Sequence, residues 1–337
     1  MAAPGHLALK SVLIYLAPVV CVLGSLFFGR YAIALPEVVG ALMPWVPGAP
    51  EVSSQAATLV IQSRLPRALA AAAVGAALAA SGAAFQGVFR NPLVNSGLLG
   101  VSNGAGFGAA VAIVCFGGGM AIYPAAFVFG IVAVLASYAI ARVYKSTPTI
   151  MLILGGTIVS SVFSALVSLM KYVADPDTQL PSITYWLMGS LSSVSYDKFW
   201  AVAVMAAGCA VLILCAWRVD VLSMGDKEAR SLGLPVNRDK GVIIAAATLA
   251  TAGAVCLSGV VGWVGLVIPH IGRMLVGSRN KLLIPASMAL GAAFLVVVDT
   301  CARCIWASEV PLGILTALVG APFFVYLLKK TKGGGWR

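Results

Sequence analysis

Apolar stretches follow one another along the whole chain, and most charged residues are confined to the joins between them. A helix needs about 20 apolar residues to cross the hydrocarbon core of a bilayer. Runs of that order fall at 9–28, 64–87, 94–115, 120–142, 149–172, 197–217, 240–260, 262–278, 282–302 and 310–328. Within each run the apolar side chains occupy every side of a helix. Membrane β-strands, which alternate polar and apolar over about ten residues, are thereby excluded. The pattern predicts an all-α polytopic membrane protein with about ten transmembrane helices, folded as a single transmembrane domain over residues 1–337. Composition agrees: 61% of residues are hydrophobic and 10% charged, with a mean hydropathy of +1.00, whereas soluble domains carry about 25% charged residues.

The first run has two readings. Lys10 precedes it and Ala32-Ile33-Ala34 has the small residues of a signal-peptide cleavage site. The run is long for a signal peptide, however, and Arg30 sits just before that site, so a retained anchor is preferred. Ten spans place both termini on one side. With that side inside, Arg30, Arg64, Arg67, Lys171, Lys198 and Arg303 fall outside, leaving sixteen of the 22 basic residues inside, among them Lys145, Lys330, Lys332 and Arg337. The positive-inside bias then puts the termini in the cytoplasm of an inner-membrane protein. The net charge of +11 is thus a topology signal. It forms no basic stripe interleaved with aromatics, and no nucleic-acid partner is expected.

Candidate chemistry is sparse. No G-x-x-x-x-G-K-[ST] occurs, so the chain has no P-loop for ATP. His6 and His270 are the only histidines, too few for a histidine metal site, and Cys301-x-x-Cys304 has no second pair to complete one. No catalytic residue and no metal ligand is expected. Gly104-Ala-Gly106-Phe-Gly108 follows no strand. With Gly75, Ala79 and Gly82 it reads as small-residue packing between helices. Pro66 and Pro311 each precede a Val-Gly-Ala at the same spacing, Val74 and Val319, a faint echo between two span beginnings. Asp299, near the outer end of 282–302, is the one acid inside a span other than at its first residue. Arg303 at i+4 offers it a local ion pair, which leaves little for ion-coupled transport.

Two polar regions remain. Residues 218–240, the longest cytoplasmic connection, combine charge with a short amphipathic stretch. Leu222, Ala229, Leu232 and Leu234 form its apolar face, and Asp226, Lys227, Glu228 and Arg230 its polar one. Such a stretch suits either a solvated loop helix or docking into a groove on a soluble partner. At the opposite end, Arg64 and Arg67 flank Leu65-Pro66 at a helix start, where cations gain nothing from the helix dipole. They point to an external acidic partner or to lipid headgroups.

Several ordered motifs carry a resemblance: Arg64-Leu-Pro-Arg67, Val74-Gly-Ala-Ala-Leu-Ala-Ala-Ser-Gly-Ala-Ala-Phe-Gln86, Arg90-Asn-Pro-Leu93, Gly97-Leu-Leu-Gly-Val-Ser-Asn-Gly104, Tyr185-Trp-Leu-Met-Gly189, Gly265-Leu-Val-Ile-Pro-His-Ile-Gly-Arg273 and Pro311-Leu-Gly-Ile-Leu-Thr-Ala317. Over nearly its whole length the chain resembles the iron-chelate-uptake (FecCD-type) permeases of ATP-binding-cassette importers. The resemblance implies a permease domain that works as a homodimer, two separate cytoplasmic ATPase subunits that carry the ATP and magnesium, and a periplasmic binding protein; this chain itself binds no cofactor. It assigns ATPase docking to Met224, Gly225, Asp226, Glu228, Ala229, Arg230, Leu232 and Gly233 of the coupling loop 218–240, and binding-protein docking to Arg64, Arg67 and Arg303. The cytoplasmic gate falls on Asn91, Leu93, Thr149 and Ile150, the last replacing a serine of the cobalamin branch. The expected cargo is a metal chelate, ferric siderophore first, with haem, cobalamin or molybdate as alternatives and an ion-coupled carrier as the rival class.

Overall fold

The computed structural model describes residues 4–45, 52–142, 149–306 and 308–330. Lys145, Lys332 and Arg337 of the charge pattern lie outside the described residues, as do the side chains of His6 and Lys330. Among the described residues all regular structure is helical: α1 (Pro4–Ser25), α2 (Leu35–Leu42), α3 (Ser54–Thr58), then a π turn (Leu59–Arg64) running into α4 (Leu65–Val88). There follow α5 (Val101–Phe116), α6 (Ile122–Ala141), α7 (Thr149–Val173), α8 (Gln179–Met188), α9 (Trp200–Leu214), α10 (Ala216–Met224) and α11 (Asp226–Ser231). The chain ends with α12 (Val236–Ser258), α13 (Val264–Val276), α14 (Asn280–Cys304) and α15 (Leu312–Lys330).

Among the described residues six helical segments are long and apolar enough to cross a membrane: Ser54–Val88, Gly119–Ala141, Thr149–Val173, Tyr196–Leu214, Val236–Ser258 and Asn280–Cys304. Shorter apolar helices, Lys10–Ser25, Val101–Phe116, Val264–Val276 and Leu312–Tyr326, occupy the four remaining expected spans. The second span extends back to Ser54, because α3 and the π turn run without a break into α4, and two further boundaries differ for local reasons. The third span begins at Val101, not near 94, because Asn95 Oδ1 accepts the Gly97 amide at 3.0 Å in a side-chain turn and Gly100 takes φ 86°. The sixth ends at Leu214, where Cys215 leaves helical geometry and the chain turns into α10. Helix α8, ten residues long, had no counterpart among the expected spans because it is too short to register as one.

Helices α4 and α12 form the centre, with 78% of their most apolar windows buried, against 28–33% for α6, α7 and α9. Lipid tails are as apolar as leucine, so helices in a bilayer gain by close backbone approach. Helix α4 is built for that from alanine and glycine. A Cβ at Gly75 would lie 2.1 Å from the Gly291 carbonyl oxygen of α14, and one at Gly82 would lie 1.9 Å from that of Gly265 in α13.

The α4–α14 contact is also fastened by charge. Arg67 Nε donates to both oxygens of Asp299 at 3.0 Å, and its Nη2 reaches Asp299 Oδ1 at 2.9 Å. Its Nη1 and Nη2 meet the two oxygens of Glu309, each at 2.9 Å. One planar fork thus serves two carboxylates. The local Asp299–Arg303 pair expected from spacing is secondary: Arg303 Nε lies 3.9 Å from Asp299 Oδ2. The fork of Arg67 reaches across from α4 and takes the carboxylate first.

Gly82→Ala should force α4 and α13 apart and cost about 1–3 kcal/mol, read as a lower melting temperature in detergent. Gly24→Ala, with nothing within 4 Å of the added Cβ, should leave it unchanged or raised. Arg67→Met should cost about 3–5 kcal/mol by stranding Asp299. Arg67→Met/Asp299→Leu should recover much of that, and the same melting measurement decides.

Candidate functional site

At one end of the bundle the chain makes an elbow between α9 and α12. Helix α10 ends at Gly225, whose φ of 137° is open to glycine and strained for other residues, and the six-residue α11 closes at Leu232 and Gly233. Buried Val219, Leu222, Ala229 and Leu234 turn inward. Polar ties hold the elbow to its neighbours. Lys240 of α12, fully buried, donates to Asp226 Oδ2 at 2.7 Å, and Arg218 Nη1 meets Asp239 Oδ1 at 3.0 Å. Asp220 Oδ1 accepts the amide and side chain of Asn280, at 2.6 and 2.9 Å, at the start of α14.

Lys227, Glu228 and Arg230 are exposed, flanked by Met224 (62% exposed) and Leu232 (59%). Two side chains depart from the expected faces. Leu232 points out, because α11 has ended before it can turn inward. Asp226 is drawn to Lys240, a buried ammonium that needs a carboxylate. Glu228 folds back so that its Oε2 occupies the place of a Gly225 Cβ, a point also 3.6 Å from Arg90 Nη1. The elbow packs on the end of α4 through Val219, whose Cγ1 would lie 2.4 Å from a Cβ added at Gly87.

In the loop after α4 Arg90 has φ 50°, and Asn91 Oδ1 accepts the Leu93 amide at 2.9 Å. Leu93 and Ile150 are exposed, while Asn91 and Thr149 are half-buried; of the four expected gate positions, Thr149 and Ile150 open α7. Gln86, given no separate role from sequence, holds this loop. Its Nε2 donates to Val94 O at 3.1 Å and reaches Gly265 O and Leu266 O at 3.4 Å, while its Oε1 accepts from Arg273 Nη2. The only available signal was a carboxamide inside an alanine-rich span.

From Thr149 and Ile150, α7 carries an exposed stripe of Thr157, Ser161, Ser164 and Ser168, interleaved with Leu154, Ile158, Val162 and Leu169. The hydroxyls of Thr157, Ser161 and Ser168 bond back one turn, at 2.9–3.0 Å. The face is neutral, mildly polar and without fixed charge.

At the far end of α4 and α14 the three expected docking arginines are buried, Arg64 at 5% exposure, Arg67 at 8% and Arg303 at 7%. Arg303 Nη2 donates to Ser25 O and Arg64 Nη1 to Leu26 O, both at 2.7 Å, with Arg64 Nη2 on Tyr31 O. They satisfy carbonyls at and beyond the C-terminus of α1, where no intrahelical donor remains. In this conformation none of the three offers a free guanidinium outward, and contact with an outside carboxylate requires these bonds to open. Among the described residues no group of three His, Cys, Asp or Glu could hold a metal. His270 is buried in α13, and Cys301 and Cys304 are free thiols.

The FecCD transport family matches residues 16–330. The chain is 40% identical over 313 residues to the molybdate import system permease of Haemophilus influenzae, covering 92% of each chain. It is 41% identical over 313 residues to the cobalamin import system permease of Halobacterium salinarum, covering 88% of this chain and 82% of that one. A transporter assigned to the metal-chelate ABC type, solved in an inward-facing conformation, is 37% identical and superposes with a TM-score of 0.82 over 97% of this chain and 99% of the other. The motifs, the all-helical bundle and these likenesses agree: this multi-pass membrane chain belongs to the FecCD transport family, the permeases of ATP-binding-cassette importers.

Proposed function

We propose that two copies of this chain form the translocation path of an inner-membrane importer for a metal chelate, a ferric siderophore first, with haem, cobalamin and molybdate as the alternatives. The whole of 1–337 acts as one permease domain, with the termini and the loop 218–240 in the cytoplasm. It binds no cofactor itself; ATP and magnesium belong to two ATPase subunits docked on Met224, Gly225, Asp226, Glu228, Ala229, Arg230, Leu232 and Gly233. A binding protein delivers cargo at the opposite end, near Arg64, Arg67 and Arg303.

The observation that carries this reading is the elbow. Its exposed Met224 and Leu232 flank Glu228 and Arg230, a combination that suits a groove on a soluble partner. Its inner side is tied to α12 and α14 by buried polar pairs, so a push on the elbow is delivered to the spans. Val219 of α10 packs on Gly87 at the end of α4, which would carry the same push to the loop bearing Asn91 and Leu93. Nucleotide binding by the partner then shifts the balance between states through its different affinity for each.

The path itself is read from α7. A stripe of hydroxyls on the exposed face of a spanning helix is better placed against water or a second copy than against lipid. Neutral hydroxyl and apolar side chains let a bulky chelate slide without trapping it. Asp299, bound by Arg67 and near Arg303, offers no free carboxylate to a coupling ion, which weighs against a secondary carrier.

Uptake of labelled ferric siderophore, haem, cobalamin and molybdate should fail for one cargo when the gene is deleted, and fail equally when the partner ATPase is inactivated. Uptake that survives ATPase loss would revive the ion-coupled carrier. Leu232→Asp and Glu228→Arg/Arg230→Glu should each lower transport at least tenfold while leaving the chain in the membrane at normal level; full transport by both would refute docking at the elbow.

A further inference from the structure

At the end of the bundle away from the elbow, a cavity of about 450 Å³ lies where the end of α5, the start of α6, helix α8, the segment 190–198 and the end of α12 converge. Its walls are mostly apolar, with Trp186 prominent, yet Tyr123, Ser182, Tyr185, Ser190 and Ser193 bring hydroxyls to it. Two small networks join them: Tyr185 Oη donates to Ser190 Oγ at 3.1 Å and Ser190 Oγ to Ser192 Oγ at 3.0 Å, while Tyr123 Oη and Ser193 Oγ are 2.9 Å apart.

Lys198 also lines this cavity, at 8% exposure. Its Nζ donates to Ser193 O and lies 4.7 Å from the centre of the Tyr123 ring. Among the described residues it has no carboxylate within ion-pair distance, and none lines the cavity; the adjacent Asp197 accepts a hydrogen bond from Ser195 Oγ and interacts with the Lys198 charge only from farther off. A buried cation is costly unless paired. One carbonyl and one ring face offset part of that cost, but an ammonium has three donors. Of the other buried cations among the described residues, Lys240, Arg67 and Arg303 lie within 4 Å of a carboxylate and Arg64 donates to two carbonyls, whereas Lys198 has one carbonyl.

We propose that this cavity binds a small organic anion, an apolar body bearing one carboxylate or phosphate group, with Lys198 as the counter-ion and the Tyr185–Ser190–Ser192 hydroxyls as further hydrogen-bonding partners. The apolar walls take the body and the ammonium takes the charge, as pockets of this size usually divide the work. The anion comes either from solution or from an anionic lipid. The site is separate from the proposed α7 path and does not depend on the cargo.

The test uses the full chain purified in detergent, titrated calorimetrically with benzoate and with its neutral counterpart benzamide. Benzoate should bind saturably to the natural chain and to Lys198→Arg. It should bind at least about tenfold more weakly to Lys198→Met, the loss expected for a charge-assisted hydrogen bond. Benzamide should show the same deficit on the natural chain, a comparison that needs no variant. Mass spectrometry of the same preparations separates the sources. Anionic lipid retained by the natural chain, displaced by benzoate and lost from Lys198→Met marks a lipid site; benzoate binding without retained lipid marks a solute site. Equal binding of benzoate and benzamide, equal binding by Lys198→Met, or no association of either benzoate or anionic lipid would overturn the proposal.

Discussion

The close approach of α4 to its neighbours is the constraint on which the rest of the structure depends. In a bilayer no hydrophobic effect drives helices together, so association rests on van der Waals contact and on the few polar bonds between them. The small side chains of α4 let Gly75 and Gly82 meet backbone atoms of α14 and α13 directly. Larger residues there would move the two helices whose far ends carry the arginine cluster and the support of the loop after α4. The alanine-rich centre therefore sets the position of both functional ends.

Charge is spent at those two ends. Arg67, Asp299 and Glu309 lock α4 to α14 at one, and Lys240–Asp226 with Arg218–Asp239 lock the elbow to α12 at the other. Buried pairs of this kind are weak evidence for added stability, because desolvation consumes most of the attraction. Their better-supported use is to fix one arrangement among several apolar ones of similar energy. A smooth alanine surface would otherwise permit helices to slide.

Between the locked ends runs a chain of contacts that suits a switching machine. The elbow packs on Gly87 at the end of α4, the loop after Arg90 is held by Gln86, and Gln86 also bonds Arg273 and the first carbonyls of α13. Under the proposed function, a shift of the elbow would act on the expected gate loop and on α13 together. The less buried α6, α7 and α9 stand at the periphery, and only α7 among them presents a hydroxyl stripe on its open face.

The order of ten apolar helices was legible in the sequence because each span is a local property of some 20 consecutive residues. So were the small-residue contacts of α4 and the inward faces of Leu222, Ala229 and Leu234, since glycine spacing and helical periodicity are local too. The start of α5 was misplaced because its decisive features, a side-chain turn at Asn95 and a left-handed Gly100, carry no hydropathy signal. Which partner each charge takes was decided by the tertiary structure alone. Asp299 pairs chiefly with Arg67, 232 positions away, rather than with Arg303 one turn on, and Asp226 turns to Lys240 instead of water. Arg64 and Arg303 cap carbonyls at and beyond the end of α1, and Lys198 closes on a cavity that five separate segments build. Pairing across such distances depends on where rigid helices bring their ends together, which no local pattern encodes.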